Sequence, residues 1–303
     1  MKLGYIGLGK MGLNMVERLL EKDYEVVANN RSSEAIDQVV GFGAIGAYSI
    51  SELVEKLESS DGNSKTIWLM VPHKAVDDVL SELVPLLNEG DTIIDGGNSP
   101  YIETLRRSKE LTEKGIRFMD VGVSGGPSGA RNGACLMCGG DKEVYEEYKN
   151  LFRDLSVDDG FGYMGKHGAG HFVKMVHNGI EYGMMQAIGE GFEVMKKAAE
   201  FDLDLPEISR VYNKGSVIES SLIGWLSSAY QKHTEELDGI SGEVSHSGEG
   251  QWTVEAAEKL DVPVEIIKGA LDFRINSQGK PSYTGKVVSA LRNEFGGHDV
   301  KEN

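Results

Sequence analysis

Four polar side chains are spaced so that successive helical turns would bring them to one side. Lys174, His177, Asn178 and Glu181 stand at i, i+3, i+4 and i+7 of the stretch Gly168-Ala-Gly-His-Phe-Val-Lys-Met-Val-His-Asn-Gly-Ile-Glu-Tyr182, and at 3.6 residues per turn these point the same way. A purely structural helix would place apolar residues there. Here the complementary positions Phe172, Val173, Met175, Val176 and Ile180 are the apolar ones, so the polar face is expected to look into a cleft rather than into open water. An amine, an imidazole and a carboxyl group are groups that move protons, and the neighbouring amide can hold a ligand. This stretch is the active-site candidate.

A second constellation opens the chain. Lys2-Leu-Gly-Tyr-Ile6 reads as a buried strand, Gly7-Leu-Gly-Lys-Met-Gly12 as a glycine-rich turn and Leu13 to Lys22 as a helix. In that context Gly7 allows a tight turn, Gly9 lets backbone approach a pyrophosphate and Gly12 permits close helix–strand packing, with the anion at the helix N-terminus. The second strand, Tyr24 to Ala28, ends in Asn29-Asn-Arg-Ser32, where NAD-binding chains usually carry an acid for the ribose hydroxyls. That acid is missing. Asn30, Arg31 and Ser32 are suited instead to a 2′-phosphate, Arg31 by a charge-assisted fork, although Arg31 also reads as a solvated loop residue. NADP is the expected cofactor and NAD the alternative. The cofactor-binding candidates are Gly7, Leu8, Gly9, Lys10, Met11, Gly12, Asn30, Arg31, Ser32, Val71 and Asn98.

Strand and helix patterns then alternate through Thr66–Val71, Ala75–Leu87, Thr92–Ile94, Pro100–Lys114 and Arg117–Val121, the alternation of a doubly wound parallel sheet. Its ligand-facing loops should lie at the C-terminal strand ends. Two of them, Asp95-Gly-Gly-Asn-Ser99 and Gly122-Val-Ser-Gly-Gly-Pro127, carry glycine pairs beside Asn98 and Ser124. These suit a hydroxylated, charged ligand, while tight turns are the plainer reading. Past Gly162–Gly165 the strand signals fade. The expected organisation is α/β: a Rossmann-type dinucleotide-binding domain over 1–166, then an all-helical substrate and dimerisation domain over 167–303. In the second domain a long helix is expected from about Gly170 to Glu200, with others starting at Pro206, Ser220, Gln251 and Pro263. The Gly-, Ser- and acid-rich stretch Glu235–Glu249 reads as a mobile loop.

Composition narrows the class. With 31 Lys+Arg against 48 Asp+Glu the formal charge is −17, which argues against nucleic acid or an acidic membrane surface as partner. No apolar run is long enough to span a bilayer and no signal peptide precedes the first strand, so a cytoplasmic location is expected. Cys135-Leu-Met-Cys138 has a redox or zinc-like spacing, but two thiols without nearby histidines are half a metal site. The segment also reads as a short buried strand, and no metal site is expected.

Taken together, Gly7–Gly12, Ile94-Asp-Gly-Gly-Asn-Ser99, Val123-Ser-Gly-Gly126, the stretch Gly168–Tyr182, Gly250-Gln-Trp-Thr253 and Arg292-Asn-Glu-Phe-Gly-Gly-His298 resemble, in order and over nearly the whole chain, the decarboxylating 6-phosphogluconate dehydrogenase family. The resemblance is to its short-chain type, within the β-hydroxyacid dehydrogenase superfamily. It implies that Lys174 is the general base and Glu181 the general acid. It also implies that Asn98, Ser124, Gly125, Gly126, His177 and Asn178 hold the sugar-acid end of a phosphorylated sugar acid, and Tyr182 and Arg274 its phosphate. Arg292 and His298 match a C-terminal pair that in the family reaches the neighbouring subunit's site, which implies at least a homodimer. Two departures stand out: the chain lacks an extra helical portion of the long relatives, and Ser247 replaces a phosphate-contacting lysine, with Glu249 nearby. Either Arg274, Arg292 and Tyr182 hold the phosphate alone, or the substrate is another acid.

The implied chemistry makes sense of the lysine. Oxidising an alcohol β to a carboxylate gives a β-keto acid that loses carbon dioxide once its developing enolate is stabilised. An amine that has taken the hydroxyl proton becomes an ammonium beside the new carbonyl oxygen. The enediol then needs a proton at carbon, and Glu181 is the acid at hand. Two rival readings remain: a β-hydroxyacid dehydrogenase acting on an unphosphorylated 3-hydroxy acid without decarboxylation, and a dinucleotide-sensing protein without catalysis.

Overall fold

A computed structural model describes residues 1–58, 64–245 and 248–296. Short apolar runs form strands and amphipathic stretches form the helices between them. In chain order they are β1 (Lys2–Ile6), α1 (Lys10–Glu21), β2 (Glu25–Asn29), α2 (Ser33–Gly41), β3 (Ile45–Ala47), α3 (Ile50–Leu57), β4 (Thr66–Leu69), α4 (Val76–Leu83), β5 (Thr92–Asp95), α5 (Tyr101–Thr112), β6 (Arg117–Ser124), α6 (Gly126–Asn132), β7 (Ala134–Gly140), α7 (Lys142–Leu155) and β8 (Ser156–Gly165). The sheet order is β3-β2-β1-β4-β5-β6-β7-β8. Strands β4 and β5 are buried along their whole length, as strands covered on both faces must be.

The first six strands are parallel, so the expected doubly wound sheet is present. It is extended by a reversed pair: β7 runs antiparallel to β6, and β8 parallel to β7. The order reverses between β1 and β4, and the crevice at their C-terminal ends is where such sheets bind ligands. The helix expected over Ala75–Leu87 is shorter. Pro85 has no N–H to donate, and α4 is flanked by 3₁₀ turns at His73–Ala75 and Val84–Leu86.

The helical half comprises α8 (Ala169–Lys197), α9 (Leu205–Tyr212), α10 (Ser221–His233), α11 (Glu249–Lys259), α12 (Glu265–Asn276) and α13 (Tyr283–Gly296). Asp204 and Ser220 cap α9 and α10 by accepting the Glu207 and Ile223 amides. Helix α13 has no counterpart in the sequence reading. Eight of its residues, from Thr284 to Arg292, are buried, so it has no polar face to set up a period. The segment expected to be a mobile loop is packed instead: Leu237, Ile240 and Val244 join the core of α8, α10 and α13.

The chain separates into two compact units, Met1–Lys174 and Met175–Asn303. The first turns of α8 thus belong with the sheet. Among the described residues no helix is long and apolar enough to cross a membrane.

Candidate functional site

In the first unit the glycine-rich turn follows β1. Gly7 has φ +105°, a side chain there would collide with the Met70 carbonyl, and one at Gly12 would collide with the Gly7 carbonyl. Those two glycines are required by the fold itself. Gly9 has nothing within 4 Å of where a Cβ would sit, so the protein leaves that space open. Helix α1 begins there with no side-chain cap and no acid in its first turn, and its Lys10, Met11 and Gly12 amides face the N-terminal end of the dipole. This turn fits a dinucleotide pyrophosphate.

Asn30 links the turn to the second strand. Its Oδ1 accepts the Leu8 amide at 3.0 Å, and its Nδ2 donates to the Ser32 hydroxyl at 3.1 Å. Arg31 and Ser32 are exposed beside it. Val71 and Asn98 follow β4 and β5. The buried Asp95 carboxylate shapes the second of these loops, accepting the Gly97 amide at 3.0 Å and the Ser99 hydroxyl at 3.1 Å. Close packing also calls for the glycine pair: a Cβ at Gly97 would come 2.8 Å from the Val71 carbonyl. Arg107, buried, ties the same loop to its neighbour through Ser99, the His73 carbonyl and both oxygens of Asp77.

Strand β6 ends at Ser124, and Gly125 and Gly126 follow with φ +117° and +61°, a conformation that L side chains resist. Lys174 is buried at 8% exposure, and its Cβ lies against Gly122 of β6. Sequence reasoning missed Asp95, Arg107 and Asp120 as shaping residues. For Asp120 a signal existed, since an acid inside an otherwise apolar strand must find partners. It accepts the Gly168 amide at 2.8 Å and the His171 amide at 2.9 Å.

In the second unit α8 continues through His177, Asn178, Glu181 and Tyr182. The His177 Nδ1 lies 3.0 Å from the Asn178 Oδ1 and 3.9 Å from the Glu181 carboxylate. Ile180, one of the apolar positions complementary to the polar face, is 52% exposed. Glycines let α8 and α11 approach closely. Gly179 faces Thr253, whose hydroxyl lies 2.7 Å from the Met175 carbonyl, and Gly250 faces the Tyr182 ring.

Around that ring a cationic cluster is built. The Arg274 guanidinium stacks on Tyr182, 3.3 Å from the ring centroid. Both residues are buried, and among the described residues Arg274 Nη1, Arg274 Nη2 and the Tyr182 hydroxyl have no hydrogen-bond partner. Burial lowers the Arg274 pKa to about 10; Arg292 presses in the same direction, and Tyr182 and Glu181 oppose it. Arg292 is itself buried, and its Nη1 donates to the Ser245 hydroxyl at 2.8 Å. Burial holds its pKa below the ordinary value, against Tyr182, Glu249 and Glu181. Arg292 thus sits near Arg274 within one chain. His298 and Ser247 lie outside the described residues.

Comparison with known proteins shows the family. Residues 2–165 match the family model described as the NAD binding domain of 6-phosphogluconate dehydrogenase, and residues 170–293 match its C-terminal domain. YqeC of Bacillus subtilis (strain 168), provisionally named 6-phosphogluconate dehydrogenase, is 47% identical over the whole of both chains. A Haloferax volcanii protein named 6-phosphogluconate dehydrogenase, NAD(+)-dependent, decarboxylating, is 40% identical over 99% of this chain and 98% of its own. The Plasmodium falciparum 6-phosphogluconate dehydrogenase, solved in its apo form and with NADP+ or 6-phosphogluconate, superposes with a TM-score of 0.81 at 32% identity; the match covers 92% of this chain and 62% of that longer one. The family matches along both halves make the chain an NAD(P)-dependent oxidoreductase that belongs to the 6-phosphogluconate dehydrogenase family.

Proposed function

We propose that the chain oxidises and decarboxylates 6-phosphogluconate to ribulose 5-phosphate and carbon dioxide, with NADP as the preferred acceptor. The observation that carries this reading is the pair of buried Arg274 nitrogens that, among the described residues, have no acceptor, beside a Tyr182 hydroxyl equally without a partner among them. Buried donors of this kind call for an anion. A phosphate fits them and an unphosphorylated acid leaves them unmet.

In this reading Lys174 takes the proton of the hydroxyl β to the carboxylate. The bound dinucleotide supplies the hydride acceptor. The lysine, now an ammonium, stays beside the new carbonyl oxygen and stabilises the enolate as the carbon–carbon bond to the carboxylate breaks and carbon dioxide leaves. Glu181 gives the proton that the enediol needs at carbon. Asn98, Ser124, Gly125, Gly126, His177 and Asn178 hold the sugar-acid end, and Tyr182 and Arg274 the phosphate. Arg31 and Ser32, set beside Asn30, take the cofactor's 2′-phosphate. His298, with Arg292, belongs to the reading in which two chains complete the enzyme, and size-exclusion chromatography with light scattering tests that.

The test of activity is dinucleotide reduction with 6-phosphogluconate, NADP and NAD tried separately, with carbon dioxide trapped in parallel. Stoichiometric carbon dioxide is the expected result. Reduction without carbon dioxide, or turnover only with unphosphorylated 3-hydroxy acids, would move the assignment to the wider superfamily. The Glu249 carboxylate near Arg292 is the feature that favours that second outcome, because it opposes a phosphate.

A further inference from the structure

We propose that Asp120 and Gly122 are positioning residues for Lys174, and that β6 acts as a ruler setting the lysine at a fixed distance from Ser124. The inference rests on the reading of Lys174 as the base.

Side chains two apart on a strand share a face, about 6.6 Å from one to the next. Asp120, Gly122 and Ser124 are three such positions on β6, paired across to Gly139, Met137 and Cys135 of β7. The first grips the start of α8. Its carboxylate accepts the Gly168 amide at 2.8 Å and the His171 amide at 2.9 Å, and it is 0% exposed. An anion at a helix N-terminus also suits the dipole. The second receives the helix. A Cβ at Gly122 would collide with the Lys174 Cβ and come 3.0 Å from both the Lys174 Cγ and the Gly170 carbonyl. The third is the substrate-binding candidate itself.

The fit around this contact is between backbones. A Cβ at Gly170 would collide with the carbonyls of Asp120 and Met137, and one at Gly139 would lie 2.5 Å from the Gly170 amide and 2.7 Å from the Asp120 carboxylate. With glycine at Gly122, Gly139 and Gly170, α8 lies so close to the strands that it has little slack on which to shift. Lys174 enters the site at a height set by the strand, not by its own flexible stem. Gly170, four residues before the lysine, therefore has a mechanical reason, distinct from that of the glycines in the dinucleotide turn.

The experiment compares Gly122→Ala and Asp120→Asn with the wild type. Turnover is expressed per dinucleotide-binding site, so that unfolded protein is not counted. The added methyl displaces Lys174 by a fraction of an ångström to an ångström, and kcat should fall on the order of 10²-fold while dinucleotide Kd and the KM for 6-phosphogluconate stay within about twofold. Asp120→Asn keeps the shape but turns one acceptor into a donor facing an amide, and about a tenfold fall in kcat with the same split is expected. A wild-type kcat per site in either folded variant overturns the proposal. So does a parallel loss of kcat, KM and Kd, which marks general loosening. If Gly122→Ala does not fold, Asp120→Asn decides. Lys174→Met is run alongside: if it turns over normally, the assignment of the base fails and the ruler fails with it. If it is inert and the two variants are normal, only the ruler fails.

Discussion

Arg274 lies flat over the ring of Tyr182, its carbon 3.3 Å from the ring centroid. The ring's face holds the cation without using any of its N–H donors, an interaction worth about 2 kcal/mol or more when desolvated. That leaves Nη1 and Nη2 for something else. Removing the charge should separate ligand binding from folding. In Arg274→Met the KM for 6-phosphogluconate should rise about 10²-fold, the scale of one or two lost charge-assisted hydrogen bonds, while dinucleotide affinity holds. The ligand-free variant should melt no lower than wild type, because burial already pulls the guanidinium down to about 10. A depressed cation opposes folding at neutral pH, and that opposition fades as pH rises through about 10 towards the ordinary arginine value. Steady-state kinetics and melting curves with and without inorganic phosphate check both halves.

Lys174→Met should abolish turnover and leave dinucleotide binding intact, since it removes the proposed base and no part of the glycine-rich turn. Glu181→Gln should bind both ligands normally and turn over roughly 10² to 10⁴ times more slowly, the usual range for a lost general acid. Single-turnover kinetics and dinucleotide fluorescence titration distinguish these from misfolding. Near-normal turnover of Lys174→Met would sink the assignment of the base.

Cofactor choice should turn on Arg31. It is exposed beside Asn30 and Ser32, so Arg31→Ala removes the proposed phosphate contact without disturbing a core. NADP affinity should fall by one to two orders of magnitude and NAD affinity by much less. Equal losses for both dinucleotides would show that the loop does not read the 2′-phosphate. The comparison matters here because the relatives include an NAD(+)-dependent enzyme and one solved with NADP+.

What the sequence revealed was what it encodes locally. The strand, turn and helix around Gly7–Gly12 are consecutive, and the polar positions of α8 repeat at the helical period, so both could be read directly. Helix α13 could not, because burial on nearly all sides leaves no alternation of apolar and polar residues to detect. The packed strap at Leu237, Ile240 and Val244 hides three core residues at irregular spacing in a polar stretch. The reversal of β7 depends on which strand it meets, and the Arg274–Tyr182 stack joins residues on two helices far apart in sequence. Pairings of that kind are decided by tertiary packing, and only the folded chain shows them.

Acid should expose the joint between α8 and α13. The Glu193 carboxylate accepts the Thr284 amide at 2.9 Å and its hydroxyl at 2.6 Å, and Lys197 lies 2.8 Å away. Lys197 first, then Thr284, lowers its pKa from 4.5 to about 2. A depressed carboxylate stabilises the fold above its unfolded pKa, and the contribution is lost as pH falls through the folded value. Wild type should therefore be more stable than Glu193→Gln at neutral pH, with the gap closing between pH 4.5 and about 2. Urea midpoints measured across that range give the answer, and a gap independent of pH would assign the effect to shape instead.

The last two glycines of the dinucleotide turn should fail in opposite ways. At Gly12 a methyl group would meet the Gly7 carbonyl closer than any real carbon–oxygen contact, and both partners are backbone, so α1 must move off β1. Gly12→Ala should lower the melting temperature, and overpacking of this kind typically costs about 1–3 kcal/mol. At Gly9 the same methyl meets nothing within 4 Å. Replacing a glycine with alanine at φ −72° even removes some freedom from the unfolded chain, so Gly9→Ala should melt at or slightly above the wild-type temperature. If the turn is the pyrophosphate site, dinucleotide affinity should fall at least tenfold, because the methyl would stand where the pyrophosphate approaches. Melting curves and equilibrium titration on the two variants separate a glycine kept for the fold from a glycine kept for the ligand. A Gly9→Ala protein that binds NADP normally would mean that the turn is not the pyrophosphate site.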